Sequence, residues 1–191
     1  WTFHVPLFTD IEDRQFVEEL KRIIESTWQF ANSTNAYRVE IDISYFSADR
    51  LYAAGDRPAR GDKVDITRHL ARFPAGGAIL TTGGSTTHVR DYAIVLGPHP
   101  MSPRVLAHEF GHVLGFRDRY VRGYKNLGKN GFQVMEVVAD PRDIMGAIAE
   151  GAVLSHHFSR LAEYYRKQIP LANPLPQPVR TLPTTRSLTA S

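Results

Sequence analysis

Residues 108–118 read HEFGHVLGFRD: two histidines four apart, a glutamate directly after the first, and an aspartate six past the second. On an α-helix His108 and His112 stand about 40° apart round the axis and about 6 Å along it, so their imidazoles can converge on one ion. Leu106, Phe110, Val113 and Leu114 form an apolar arc nearly opposite. Such a helix buries one side while its histidine side faces an opening. Gly111 and Gly115 flank that side and leave room for a chain to approach. Glu109 lies about 100° round from His108. It is too far round to share the ion as a ligand, yet it can reach a water held there, from which it would take a proton.

A catalytic zinc site takes three protein ligands and keeps one position for water. Gly115 is placed to end the helix in a left-handed conformation and redirect the chain. Asp118, three residues beyond, then offers an oxygen donor. Glu136 and Asp140, in QVMEVVAD (133–140), compete for the same role. A bend at the right place favours Asp118.

Working outward, Ser102 and Pro103 suit an N-cap and first helical position, and the helix they open runs to about Leu114. Upstream, Thr9 and Glu12 have capping-box spacing. Phe16, Val17, Leu20, Ile23, Ile24 and Trp28 then repeat at helical intervals, which predicts a long amphipathic helix to about Asn32. Val39, Ile41, Ile43 and Tyr45 alternate as a half-buried strand does. Residues 47–62 read as an exposed loop, and 64–73 mix strand and helix signals. Gly77–Thr82 (GAILTT) is bounded by glycines and suits a sheet edge, whereas the apolar Tyr92–Gly97 (YAIVLG) suits a central strand. Residues 118–143 show little periodicity and predict a long irregular excursion of functional character. A last amphipathic helix starts near Ser155, with Phe158, Leu161, Ala162, Tyr165 and Ile169 as its stripe. From Pro170 five prolines in 22 residues predict an extended tail or linker.

The chain has 191 residues, 42% of them hydrophobic and 23% charged, enough for one well-buried domain. The reading is a domain over 1–170, divided near 115/116 into an upper and a lower part, with 171–191 as the tail. A net charge of +3 demands neither a nucleic acid nor an anionic membrane as partner. The absence of cysteine excludes disulfides, thiolate metal sites and a cysteine nucleophile. No apolar run reaches the roughly 18 residues needed to span a bilayer, and the first residues lack a signal-peptide pattern.

HEFGHVLGFRD followed at a distance by Asp143-Ile144-Met145-Gly146 resembles the metzincin clan of zinc endopeptidases, in the variant HExxHxxGxxD with an aspartate as last ligand. Within the clan it is most similar to snapalysin-type and related bacterial secreted proteases. The resemblance implies an α+β fold: a twisted mixed sheet, a long N-terminal helix, an active-site helix, and an irregular C-terminal part with a methionine turn and a final helix. It implies His108, His112 and Asp118 as ligands of one catalytic zinc, Glu109 as base and acid, Gly115 as the bend and Met145 as the turn methionine. Some members carry a metal-assisting tyrosine two residues past that methionine; here Ala147 stands there.

The function these readings imply is hydrolysis of peptide bonds by glutamate-assisted attack of zinc-bound water, by a secreted or extracytoplasmic bacterial monomer. Its protein or peptide substrate would lie extended along an edge strand at Gly77, Ala78, Ile79 and Leu80. Two alternatives stand beside it: a gluzincin-like peptidase with Glu136 as third ligand, and a non-catalytic zinc-stabilised binding module. Tyr120 reads as a packing residue close to the site. His4, His69, His88 and His99 read as surface or packing residues. His156 and His157, adjacent and so splayed by about 100° on a helix, would present at most one ring to the site. Asp56, Asp62 and Asp65 lack calcium-loop spacing, which leaves calcium without support.

Overall fold

A computed structural model describes residues 1–167 of the protein. The expected proline-rich tail, and Ile169 of the last apolar stripe, lie outside them. The fold is mixed α+β, built on a six-stranded sheet and a separate two-stranded one.

The chain starts with a strand the sequence reading passed over. In β1 (Thr2–Thr9) Phe3, Val5 and Leu7 are buried and alternate with half-buried residues, the period of a strand with two unequal faces. The cap expected at Thr9 falls later. Thr9 Oγ1 instead accepts from Ile11 N (3.1 Å), and Asp13 is the N-cap of α1 (Arg14–Thr27), accepting from Phe16 N at 3.0 Å. The helix stops short of Asn32 because Trp28 forms its C-cap and the chain turns at once into β2 (Gln29–Ala31), antiparallel to β3 (Ala36–Tyr45). Two short helices follow, α2 (Ala48–Leu51) and α3 (Ile66–Leu70), then β4 (Ala78–Thr82), β5 (His88–Arg90) and β6 (Ala93–Leu96).

The sheet order is β2-β3-β1-β4-β6-β5, with β3, β1, β4 and β6 parallel and an antiparallel strand at each end. This corrects the expected edge strand. Ala78, Ile79 and Leu80 sit between β1 and β6, and all three are buried. The edge is β5, a three-residue strand without a legible pattern, joined to β6 through Asp91 at φ +54°. Alternate residues of the central strands feed two apolar layers. Leu80 and Ile94 pack with α1 and the helices beyond, and Ile79 and Val95 with Leu51, Leu70 and Phe73.

Helix α4 (Pro103–Val113) begins as expected, Ser102 Oγ accepting from Val105 N at 3.3 Å with proline at the first position. After it, 118–143 is not irregular. β7 (Tyr120–Asn126) and β8 (Phe132–Val138) pair over seven residues as a hairpin. Periodicity failed there because both faces are exposed: Val121, Tyr124, Phe132, Val134, Met135 and Val137 are all at least half exposed. The chain then forms a turn at 143–147 and enters α5 (Ser155–Lys167). Among the described residues no helix is long and apolar enough to cross a membrane.

Candidate metal centre

The apolar arc of α4 is buried in the larger core through Leu106, Phe110 and Val113, and this fixes the rotation of the helix. His108 is buried and His112 half-buried. Each has one ring nitrogen committed to a carbonyl. His108 Nδ1 donates to Ile144 O (2.9 Å) and His112 Nδ1 donates to Phe116 O (2.8 Å). A carbonyl can only accept, so Nδ1 carries a proton in both rings and Nε2 is the nitrogen left to face a ligand.

Gly115 takes φ +88°, and no atom stands within 4 Å of where its Cβ would be. Glycine is needed there for the left-handed backbone alone. Gly115 N donates to His112 O (2.9 Å) and Phe116 N to Gly111 O (3.0 Å), closing the helix end and reversing the chain. Asp118 is thereby returned to the histidines. Its Oδ1 lies 3.1 Å from His108 Nε2 and 3.2 Å from His112 Nε2. A tetrahedral ion with ligands at about 2.0–2.1 Å separates its donor atoms by roughly 3.3 Å. Two imidazoles and a carboxylate at that spacing fit a zinc-type ion.

The competing oxygens are elsewhere: Glu136 is ion-paired with Arg122 across the hairpin, and Asp140 with Arg142 at 3.1 Å. Asp62 and Asp65 serve local structure, accepting from Ala59 N (2.7 Å) and Arg68 N (3.2 Å).

Beside the three donors lies an open cleft of about 480 Å³. Glu109 lines it. Burial raises its carboxyl above the ordinary glutamate value, and His112 and His108 partly oppose the rise. Tyr120, the first residue of β7, lines the same cleft with its ring 6.4 Å from that of His108. Burial chiefly, and then the Asp118 carboxylate, push its phenol up. The opposite wall is β5, with His88 and Val89. His88 therefore belongs to the cleft rather than to an unrelated surface. The signal that points to it is the turn at Asp91 preceding an apolar strand, which marks residues 88–90 as the other half of a hairpin.

Under the helix, Met145 is buried. A Cβ on Gly111 would collide with Met145 Sδ and the Trp28 ring. The room that Gly111 leaves is thus filled by the turn methionine. A second polar cluster stands behind that turn, formed by Asp143, His156 and His157. The splay expected of adjacent histidines is overcome by side-chain rotation about a shared carboxylate. Their ring centroids lie 4.1 Å apart with the planes tilted by 30°, and both Nε2 atoms approach Asp143, at 3.2 and 3.1 Å. Neither lines the cleft. Burial pulls His157 below the ordinary imidazole value, against the opposing Asp143 charge, and so favours a neutral ring.

No protein-family model matches the chain, and no curated protein matches it.

Proposed function

We propose that the protein is a zinc-dependent endopeptidase of metzincin type, with His108, His112 and Asp118 as metal ligands and Glu109 as general base and acid. The observation that carries this reading is the convergence of two imidazole nitrogens and one carboxylate oxygen beside an open cleft that also contains a glutamate. A zinc ion held by His108, His112 and Asp118 would supply Lewis acidity and lower the pKa of a water at the open position. Ile144 O and Phe116 O keep the two imidazoles in the ligating tautomer. Glu109, with its proton affinity raised by burial, is suited to take a proton from the attacking water and return it to the departing amide nitrogen.

The edge strand β5 has a partner on one side only, β6, so its other side can pair with an extended peptide by main-chain hydrogen bonds. On this reading a substrate would lie between β5 and Tyr120 rather than along β4. The pairing of Glu136 with Arg122 leaves the gluzincin-like alternative without support. A purely structural zinc site is normally closed by a fourth protein ligand and has no use for a glutamate in an open cleft. By the same resemblance we place the protein among secreted bacterial proteases.

The test is elemental analysis of the purified protein together with cleavage of an unbiased peptide mixture by wild type, Glu109→Ala and chelator-treated protein. One equivalent of zinc is expected, with cleavage abolished by either treatment. Zinc-free protein, or cleavage equal in all three samples, would refute the proposal.

A further inference from the structure

The polar cluster behind the metal centre has no part in the proposed chemistry, yet every member is tied to a ligand. Asp143 is fully buried and makes most of the ties itself. Its Oδ1 accepts from Met145 N (2.8 Å), and its backbone carbonyl accepts from Gly146 N and Ala147 N, both at 2.8 Å. This holds the turn in one shape. Within that turn Ile144 O is the acceptor that aims His108, while Met145 O accepts from Arg119 N (2.8 Å), the residue next to Asp118. Asp143 Oδ2 accepts from the Arg119 guanidinium at 3.3 Å. His112 is reached through packing: the His157 ring stands edge-on to Phe116 at 4.7 Å, and Phe116 O is the acceptor that aims His112.

One feature marks this cluster as a brace rather than a second metal site. Arg119 Nη1 lies 3.3 Å from Asp143 Oδ2 and 3.5 Å from His156 Nε2, so the carboxylate already has its cation. His157 Nδ1 lies against both backbone groups of Leu154, N at 3.0 Å and O at 3.2 Å, which pins the ring at the start of α5.

We propose that Asp143 is the positioning residue of the metal site: through Arg119, the 143–147 turn and His157 it sets the groups that aim His108, His112 and Asp118. This rests on the metal site proposed above, so metal binding is read directly and apart from proteolysis. Partners that orient ligands typically change metal affinity by about 10- to 100-fold when altered. The full chain is loaded with cobalt(II). Its visible spectrum, its affinity by chelator competition and the thermal unfolding of the metal-free form are then compared for wild type, Asp143→Asn, Arg119→Gln and Arg119→Lys.

The expected result for Asp143→Asn is an affinity lower by about 10- to 100-fold with a shifted cobalt spectrum. Arg119→Gln is expected to move both in the same direction by a smaller factor, and Arg119→Lys to restore part of the loss. Arg119 is 44% exposed, so its variants keep the test usable if Asp143→Asn does not fold. Wild-type affinity and spectrum in the folded variants overturn the proposal while leaving the metal site intact. A second cobalt equivalent, lost in Asp143→Asn but kept in His108→Ala, also overturns it, because the cluster would then be a site itself. Wild type that binds no cobalt or zinc refutes the metal site and this inference together.

Discussion

Gly111→Ala tests whether the turn methionine truly underlies the metal helix. Two effects of opposite sign operate. Alanine in a helix interior is favoured over glycine by about 1 kcal/mol. Against this, the new methyl would occupy space held by Met145 Sδ and by the Trp28 ring, 2.8 Å away at its nearest atom. Trp28 has little freedom to yield, since its Nε1 donates to Ala107 O (2.8 Å) and its ring stacks on Phe116 at 5.6 Å. Met145 is buried and its turn is held by Asp143. Forcing a methylene into such packing costs about 1–3 kcal/mol, and rigid neighbours place the cost in the upper part of that range. The net expectation is a loss of roughly 1–2 kcal/mol, or about 2–8 °C in Tm for a domain of this size. Urea and thermal unfolding of metal-free protein are the assays, because a bound ion would add its own stabilisation. Repeating the substitution in Met145→Ala should shrink the loss by about 1 kcal/mol, the coupling expected of residues in contact. Metal-free Gly111→Ala as stable as wild type, with no coupling to Met145, would show that the sulfur does not sit beneath the helix.

Four further outcomes are expected. Asp118→Ala should lose bound zinc under a chelator concentration that wild type survives, whereas Glu136→Ala should retain it; the reverse pattern excludes Asp118 as a ligand. Glu109→Gln should keep the metal and lower kcat/KM by about 10²- to 10⁴-fold, the usual worth of a positioned base, and a loss of metal instead would make Glu109 a ligand. Because burial raises the Glu109 pKa in the folded state, its ionised form opposes folding. Metal-free Glu109→Gln should therefore be more stable than wild type at neutral pH, with the advantage fading as pH falls towards the ordinary glutamate value; an advantage independent of pH would assign the effect to packing. Gly115→Ala, at φ +88° with open space around the missing methyl, should cost about 1–2 kcal/mol from backbone strain alone and show no coupling to Met145.

What could be read from the sequence was what is decided within one helical turn or one bend. Ser102-Pro103, the spacing of His108 and His112, and Gly115 each act over four residues or fewer, and each takes the conformation that local chemistry dictates. The edge of the sheet was not readable in this way. Ala78–Thr82 has glycines before and after it, which mimics an edge strand, but edge or centre depends on which strands come to lie beside it. β5 is three residues long and half exposed, so no alternation can announce it. The 120–138 hairpin hid for a related reason: a two-stranded ribbon exposed on both faces has no buried face to impose a period of two.

The same distinction separates the proposed ligands from what aims them. His108, His112 and Asp118 lie within eleven residues, and a helix followed by a left-handed glycine is sufficient to gather them. His112 is also aimed locally, by Phe116 O four residues on, but His108 finds its backbone acceptor far along the chain. Ile144, 36 residues on, supplies it. A turn that distant holds its carbonyls at the required angle only if something fixes it, and an exposed loop would not. Asp143 does so from within the turn, and the desolvation of its charge is offset by Arg119, a residue already anchored beside Asp118. The buried carboxylate and the proposed ligand Asp118 are thus neighbours of one arginine, and a change in either should be felt at the other. The adjacent histidines of α5 carried no legible meaning because their partner lies in the turn, and only the closed fold brings them to it.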